Sequence, residues 1–147
     1  EGMNALTEKF GPQGFMCLGF PSNQFGHQTN NKGSEILDQL KYIRPGNGYE
    51  PNFPLFARAD VNGKDELPLF AYMKSVLPVP QGDEGAQLMG DPKFIIWSPI
   101  KRSDISWNFE KFLVNQDGIP VKRYSRRYPT VDIAKDIEAV MQGEPVS

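Results

Sequence analysis

A chain of 147 residues with a formal charge of −2 is long enough for one hydrophobic core, and it lacks the basic excess that nucleic acid or an anionic membrane would call for. One cysteine and one histidine, Cys17 and His27, exclude an internal disulfide and any metal site built on those two residue types. Charges, prolines and glycines cut every apolar run short of bilayer-spanning length, so no membrane segment is expected.

Met3, Leu6 and Phe10 recur at helical spacing, and Gly11-Pro12 should stop that helix. No capping residue precedes it, so it reads as the second half of a longer helix. Phe15 to Phe20 is a continuous apolar run between Gly14 and Pro21, the pattern of a strand buried on both faces. Cys17 lies inside it and reads as a small buried hydrophobe, because a reactive thiol needs partial exposure and positive surroundings. Residues 21–33 follow as a polar loop of Asn, Gln and Gly, at the place where open α/β sheets put their sites. His27 reads as a loop residue.

Ser34 is expected to cap a helix running to about Tyr42, with Glu35 and Asp38 near the end where the helix dipole favours acid. Phe53 to Val61 reads as a strand and turn. Pro68 to Leu77 reads as a helix with Leu69, Phe70, Met73, Val76 and Leu77 inward. Pro78 to Pro92 is a loop dense in Pro, Gly and acid, and Phe94 to Trp97 is a short apolar run. A strand beginning near Trp107 then turns at Asp117-Gly118, a strong hairpin signal, and returns through Tyr124. Phe109, Phe112 and Val114 on the first arm and Ile119, Val121 and Tyr124 on the second supply its β-prone apolar residues. Ile133, Ile137, Val140 and Met141 define a last amphipathic helix after Thr130. Interleaved strands and helices make the class α/β, in a single domain spanning 1–147. At the head of the hairpin, Trp107 and Asn108 place an indole N–H beside a side-chain amide. Read alone, such a pair at a strand end is more often structural than a site.

Several stretches together carry a resemblance. They are Leu18-Gly19-Phe20-Pro21-Ser22-Asn23-Gln24-Phe25-Gly26-His27-Gln28, then Leu40-Lys41-Tyr42-Ile43-Arg44-Pro45-Gly46, and Asp60-Val61-Asn62-Gly63. Trp97-Ser98-Pro99, Trp107-Asn108-Phe109-Glu110-Lys111-Phe112-Leu113 and Arg123-Tyr124-Ser125-Arg126-Arg127 complete them. In this order they resemble the glutathione peroxidase family, most closely its cytosolic, tetrameric, glutathione-using branch.

That resemblance implies a thioredoxin-like α/β fold, here without its opening strands and the start of its first helix. It implies reduction of hydrogen peroxide and organic hydroperoxides by glutathione, with no metal and no resident cofactor. The nucleophile, a selenocysteine or cysteine, would lie upstream of Glu1. Gln28, Trp107 and Asn108 match the family's remaining catalytic positions, and neutral donors there would stabilise an anionic chalcogen. Ser22 departs from the cysteine that many relatives carry, which bears on accessory redox chemistry only. No second cysteine occurs between Ser34 and Phe56, so an external thiol must resolve the oxidised enzyme. Arg44, Arg126 and Arg127 match positions assigned to glutathione carboxylates, which guanidinium suits, although the sequence pattern is also that of a solvated basic patch. The resemblance further implies a homotetramer with contacts from Pro78 to Pro92, and a cytoplasmic protein, or a secreted one if a leader precedes Glu1. Two accounts of the missing nucleophile compete: a piece of a longer peroxidase, or a non-catalytic chain kept as a structural or binding protein.

Overall fold

The computed structural model describes residues 1–27, 34–81 and 92–147. They group into two compact units, one of residues 1–23 and 27–59 and one of residues 24–26 and 60–147. Among the described residues, no helix is long and apolar enough to cross a membrane.

In the first unit, α1 spans Gly2–Phe10 and leaves through a 3-10 turn at Gly11–Gln13. Leu6 and Phe10, one turn apart, are its buried residues, as the helical spacing requires. Its polar face is tied down by Asn4. That side chain donates to the Glu50 carbonyl at 2.7 Å and accepts from the Tyr49 hydroxyl at 3.0 Å. Helix α2 covers Ser34–Tyr42 with Ile36 buried. Ser34, expected as a cap, is its first helical residue.

The run Phe15 to Phe20 departs from expectation. It forms no continuous strand, only a single parallel bridge between Gly19 and Leu55, in which Gly19 N–H donates to Pro54 O and Phe56 N–H donates to Gly19 O. Two prolines explain the brevity. The next donors along that ladder would be the N–H groups of Pro54 and Pro21, and proline has none. The run is buried on one face rather than two, with Cys17 inside while Met16 is 67% and Leu18 45% exposed. Phe53 to Val61, expected as a strand, contributes only the Leu55 bridge.

The second unit carries the core. Phe25, Val61, Trp97 and Ile105 pack together, with Phe70, Ile95, Trp107 and Phe112 against them. Helix α3, Pro68–Val76, buries Met73 and Lys74, whereas Leu69 and Val76, expected inward, are exposed. The inward stripe runs Phe70, Met73, Lys74 and Leu77, at the i, i+3, i+4, i+7 spacing of one helical face, and one of its members is a cation. Gly63 has φ +84 and approaches so closely that a Cβ would lie 3.1 Å from the Ser98 carbonyl oxygen, so only glycine fits.

Strands β1, Lys111–Val114, and β2, Pro120–Tyr124, form the antiparallel hairpin, with Lys111 opposite Tyr124 and a register shift at Leu113/Val114. The turn is closed by Asn115, whose side-chain oxygen accepts the N–H groups of Asp117 and Ile119, both at 3.0 Å. Gly118 supplies the positive φ of +78 that the turn needs. Val114 and Ile119 are exposed, Phe112 packs against the core, and the hairpin's buried residues include Leu113, Lys122, Arg123 and Tyr124. A parallel bridge joins Gln81 to Tyr124. The chain ends in a 3-10 turn at Thr130–Ile133 that runs into α4, Ala134–Met141, burying Ile133, Asp136 and Ile137.

Tyr124 is fully buried, and its hydroxyl donates to Asp136 at 2.7 Å. Burial first, and then that carboxylate, push the phenol far above its ordinary value near 10. The folded chain therefore holds a proton that the unfolded chain releases as pH climbs through about 10, so stability is complete below that pH and falls above it. Between pH 9 and 11 the urea midpoint should drop, with a slope approaching about 1.4 kcal/mol per pH unit from this group. Tyr124→Phe should remove that share of the slope, and an unchanged slope would refute the assignment.

Candidate functional site

The segment 103–110 leads from the core into β1 and holds Trp107 and Asn108. Its backbone is secured almost residue by residue. Arg123, on β2, donates from Nη1 to the Ser103 carbonyl at 2.9 Å and from Nη2 to the Asp104 carbonyl at 3.0 Å. Its Nε meets Glu110 Oε2 at 2.8 Å with both side chains buried, and Nη1 also reaches the Leu77 and Pro78 carbonyls at 3.1 Å. The other Glu110 oxygen accepts Ser106 N–H at 2.7 Å and Ser106 Oγ–H at 2.8 Å. That carboxylate closes a turn directly around Trp107 and Asn108.

A buried polar network holds the same segment from the opposite side in sequence. Lys74 Nζ, on α3, donates to Val61 O at 2.7 Å and Asn62 Oδ1 at 3.1 Å, and it pairs with Glu66 and with Asp104 Oδ1 at 3.3 Å. The second Asp104 oxygen takes the Trp97 indole N–H and the Lys101 N–H, each at 2.8 Å. Asn62 bonds Ile105 both ways, donating to its carbonyl and accepting its N–H at 2.8 Å. Gln24 completes the network. Its side-chain oxygen accepts the Val61 and Asn62 N–H groups at 2.9 and 3.1 Å, and its amide donates to Asn62 O at 2.9 Å. Each member is satisfied, which a water-poor interior demands.

Trp107 is half-buried, its ring 5.8 Å from Phe25 and 5.7 Å from Phe94. The Arg126 guanidinium lies 5.7 Å from the indole centroid, within cation–π range. Among the described residues nothing accepts the Trp107 indole N–H, and no buried side-chain nitrogen or oxygen lacks a partner. The N–H is therefore a donor presented outward rather than one spent on the fold. Asn108 follows, half-buried. Phe109 comes next with φ +67 and 76% exposure, against its expected place in the hairpin core. A bulky residue in the left-handed region stores strain, and such residues gather at sites. Lys111 Nζ donates to the Phe109 carbonyl at 2.6 Å.

Of the sequence-predicted site residues, Trp107, Asn108, Arg126 and Arg127 fall in the second unit, and Arg126 meets Trp107 directly. Arg127 is exposed, its backbone N–H on Ser125 Oγ at 3.2 Å. Arg44 lies in the first unit, exposed just past α2, with its backbone N–H on Gln39 O at 2.9 Å. Gln28 lies outside the described residues, as do residues 82–91 of the Pro78 to Pro92 loop. Cys17 is buried and its Sγ lies 3.6 Å from Met3 Sδ. Sequence reasoning missed Glu110, Arg123, Asn62 and Lys74 as the supports of the site. The one signal available was Lys74 itself, a lysine in register with an apolar stripe.

These features set an indole and an amide on a rigidly held turn in an α/β scaffold, and comparison with known proteins identifies the family. A family model described as glutathione peroxidase matches residues 1–74. Glutathione peroxidase 1 of Rattus norvegicus is 59% identical over 143 residues, covering 97% of this chain and 71% of that protein. Glutathione peroxidase 1 of Sus scrofa is 58% identical over 145 residues, covering 99% and 70%. The chain belongs to the glutathione peroxidase family. Among solved structures, T. cruzi GPX1 aligns with TM-score 0.58 at 27% identity over 96% of this chain and 69% of that one. The apo form of Trgpx aligns with TM-score 0.60 at 22% identity, over 99% and 71%, a likeness of fold alone. The fold is the thioredoxin-like α/β arrangement of these proteins.

Proposed function

We propose that the protein reduces hydrogen peroxide and small organic hydroperoxides with glutathione, through a selenocysteine or cysteine ahead of Glu1. The observation that carries the reading is the Trp107 indole N–H, left without an acceptor among the described residues on a turn held rigidly by Glu110 and Arg123. A chalcogenolate set against that donor attacks one peroxide oxygen and breaks the O–O bond. It leaves as a selenenic or sulfenic acid while the second oxygen departs as water or alcohol after taking a proton. One glutathione thiol displaces water to form a mixed chalcogenide–sulfide. A second displaces the chalcogenolate and carries away oxidised glutathione. Neutral donors from Trp107, Asn108 and Gln28 stabilise the anion without the salt bridge that would blunt its nucleophilicity.

Membership of the family, and close relatives named glutathione peroxidase 1, support this reading. Arg44, Arg126 and Arg127 are assigned to the glutathione carboxylates, and the exposed guanidinium of Arg126 beside Trp107 suits that role. The assembly proposed is a cytoplasmic homotetramer. Light scattering at micromolar concentration should give about four times the mass of one chain, and a monomer throughout would refute that part.

The test is peroxide turnover by the full-length protein in an NADPH-coupled assay. Asn108→Ala and Trp107→Phe should each lower the second-order constant for peroxide by about 10- to 100-fold, the low end of what one positioned donor contributes. Melting temperatures measured alongside separate loss of the donor from loss of packing, since the Trp107 ring packs against Phe25 and Phe94. Unchanged turnover in both variants would overturn the site.

A further inference from the structure

We infer that Asn62 is a positioning residue for Trp107 and Asn108, holding their segment against the buried Gln24 side chain. This rests on the function proposed above and goes beyond it, since Asn62 touches neither substrate nor nucleophile. The argument is geometric. Asn62 is 1% exposed and uses every polar group it has. Its side chain mimics a neighbouring strand, exchanging a donor and an acceptor with Ile105, each at 2.8 Å. Its backbone does the same with the Gln24 side chain, at 3.1 and 2.9 Å. Ile105 is two residues before Trp107, and Gln24 is four before Gln28. A single residue thus ties the chain just ahead of the indole–amide pair to Gln24 within the same unit.

Lys74 fixes the rotamer that makes this possible. Its ammonium bonds Asn62 Oδ1 at 3.1 Å, so the oxygen, rather than the nitrogen, faces the cation and the Ile105 N–H. The amide nitrogen is then aimed at the Ile105 carbonyl. Donors that stabilise a developing charge must be in place before it forms, and a displacement of about 1 Å costs a large part of the effect. A loose Ile105 would carry Trp107 and Asn108 with it.

Asn62→Asp in the full-length protein is the informative change, because it is nearly isosteric, keeps the acceptor for Ile105 N–H and sets a repelling carboxylate oxygen against Ile105 O in place of the donor. Asn62→Ser, which adds no charge and withdraws the same donor, controls for the added charge beside Lys74. The expected result is a fall of about tenfold or more in the peroxide constant, with the glutathione constant changed far less. The acid limb of the peroxide pH–rate profile should move to higher pH, because a chalcogenol facing displaced donors ionises less readily. A role in stability alone would leave that limb in place, and an unmoved limb with an unchanged peroxide constant overturns the inference.

Asn108→Ala run alongside separates the two levels. If it too is silent, the proposed site fails; if it acts while Asn62→Asp does not, only the positioning claim fails. Should Asn62→Asp not fold, amide exchange in the unaltered protein decides. Ile105 N–H should exchange as slowly as the amide of Leu113 in β1, and exchange faster by several orders of magnitude would overturn the clamp.

Discussion

Arg123→Met should destabilise the protein by about 3–5 kcal/mol, the range for breaking a buried ion pair from one side. The residue is 1% exposed, as is its partner Glu110. Removing the guanidinium leaves that carboxylate in the interior with only the two Ser106 donors, and it strips four carbonyls, those of Leu77, Pro78, Ser103 and Asp104, of a donor. Arg123→Lys should recover little, because an ammonium cannot reproduce a planar fork spread over five acceptors. Adding Glu110→Gln to Arg123→Met should cost less than the sum of the singles by about 0.5–3 kcal/mol, since the second change removes the stranded charge. Urea unfolding of the four proteins measures the cycle, and strict additivity would show that the pair is not coupled.

Lys74→Met should cost a similar amount, about 3–5 kcal/mol, and here the sequence points the other way. Methionine is a good helix former, and it would complete the apolar stripe of Phe70, Met73 and Leu77, so a reading by pattern expects a neutral or stabilising change. The structure reverses that sign. Lys74 is 3% exposed and stands between Glu66 and Asp104. Without it two carboxylates face one another in the interior and Val61 O loses its donor. Adding Asp104→Asn to Lys74→Met should cost less than the sum of the two single changes, since it removes one of the stranded charges. Strict additivity in urea unfolding would argue that packing, not charge, is what lysine supplies.

These two cases mark where the sequence was legible and where it was not. Helices α1 and α4 and the hairpin were readable because each rests on a local signal: Leu6 and Phe10 one turn apart, Ile133 and Ile137 likewise, and Asp117-Gly118 at a turn. Short-range signals survive folding because the residues that make them are neighbours in both states. The support of the site is different in kind. Arg123 lies 13 residues from Glu110, and Asn62 lies 43 from Ile105, and nothing within either stretch announces the other. Lys74 drew no reading because lysine is almost always a surface residue, and only its distant acids, Glu66 and Asp104, allow the exception. Phe109 was misread because an alternating pattern assumes extended backbone, and a positive φ breaks the alternation. Leu69 and Val76 were placed inward by a stripe drawn slightly off the true one. The chemistry of Trp107 and Asn108 became legible through family resemblance, since an indole beside an amide has no meaning in isolation.

The bridge between Gly19 and Leu55 has a consequence for the alignment of its two segments. A shift by one residue would have to replace the donors Gly19 N–H and Phe56 N–H, and Pro21 and Pro54 stand where the substitutes would be needed. The same prolines that keep this ladder short therefore also keep it in one register.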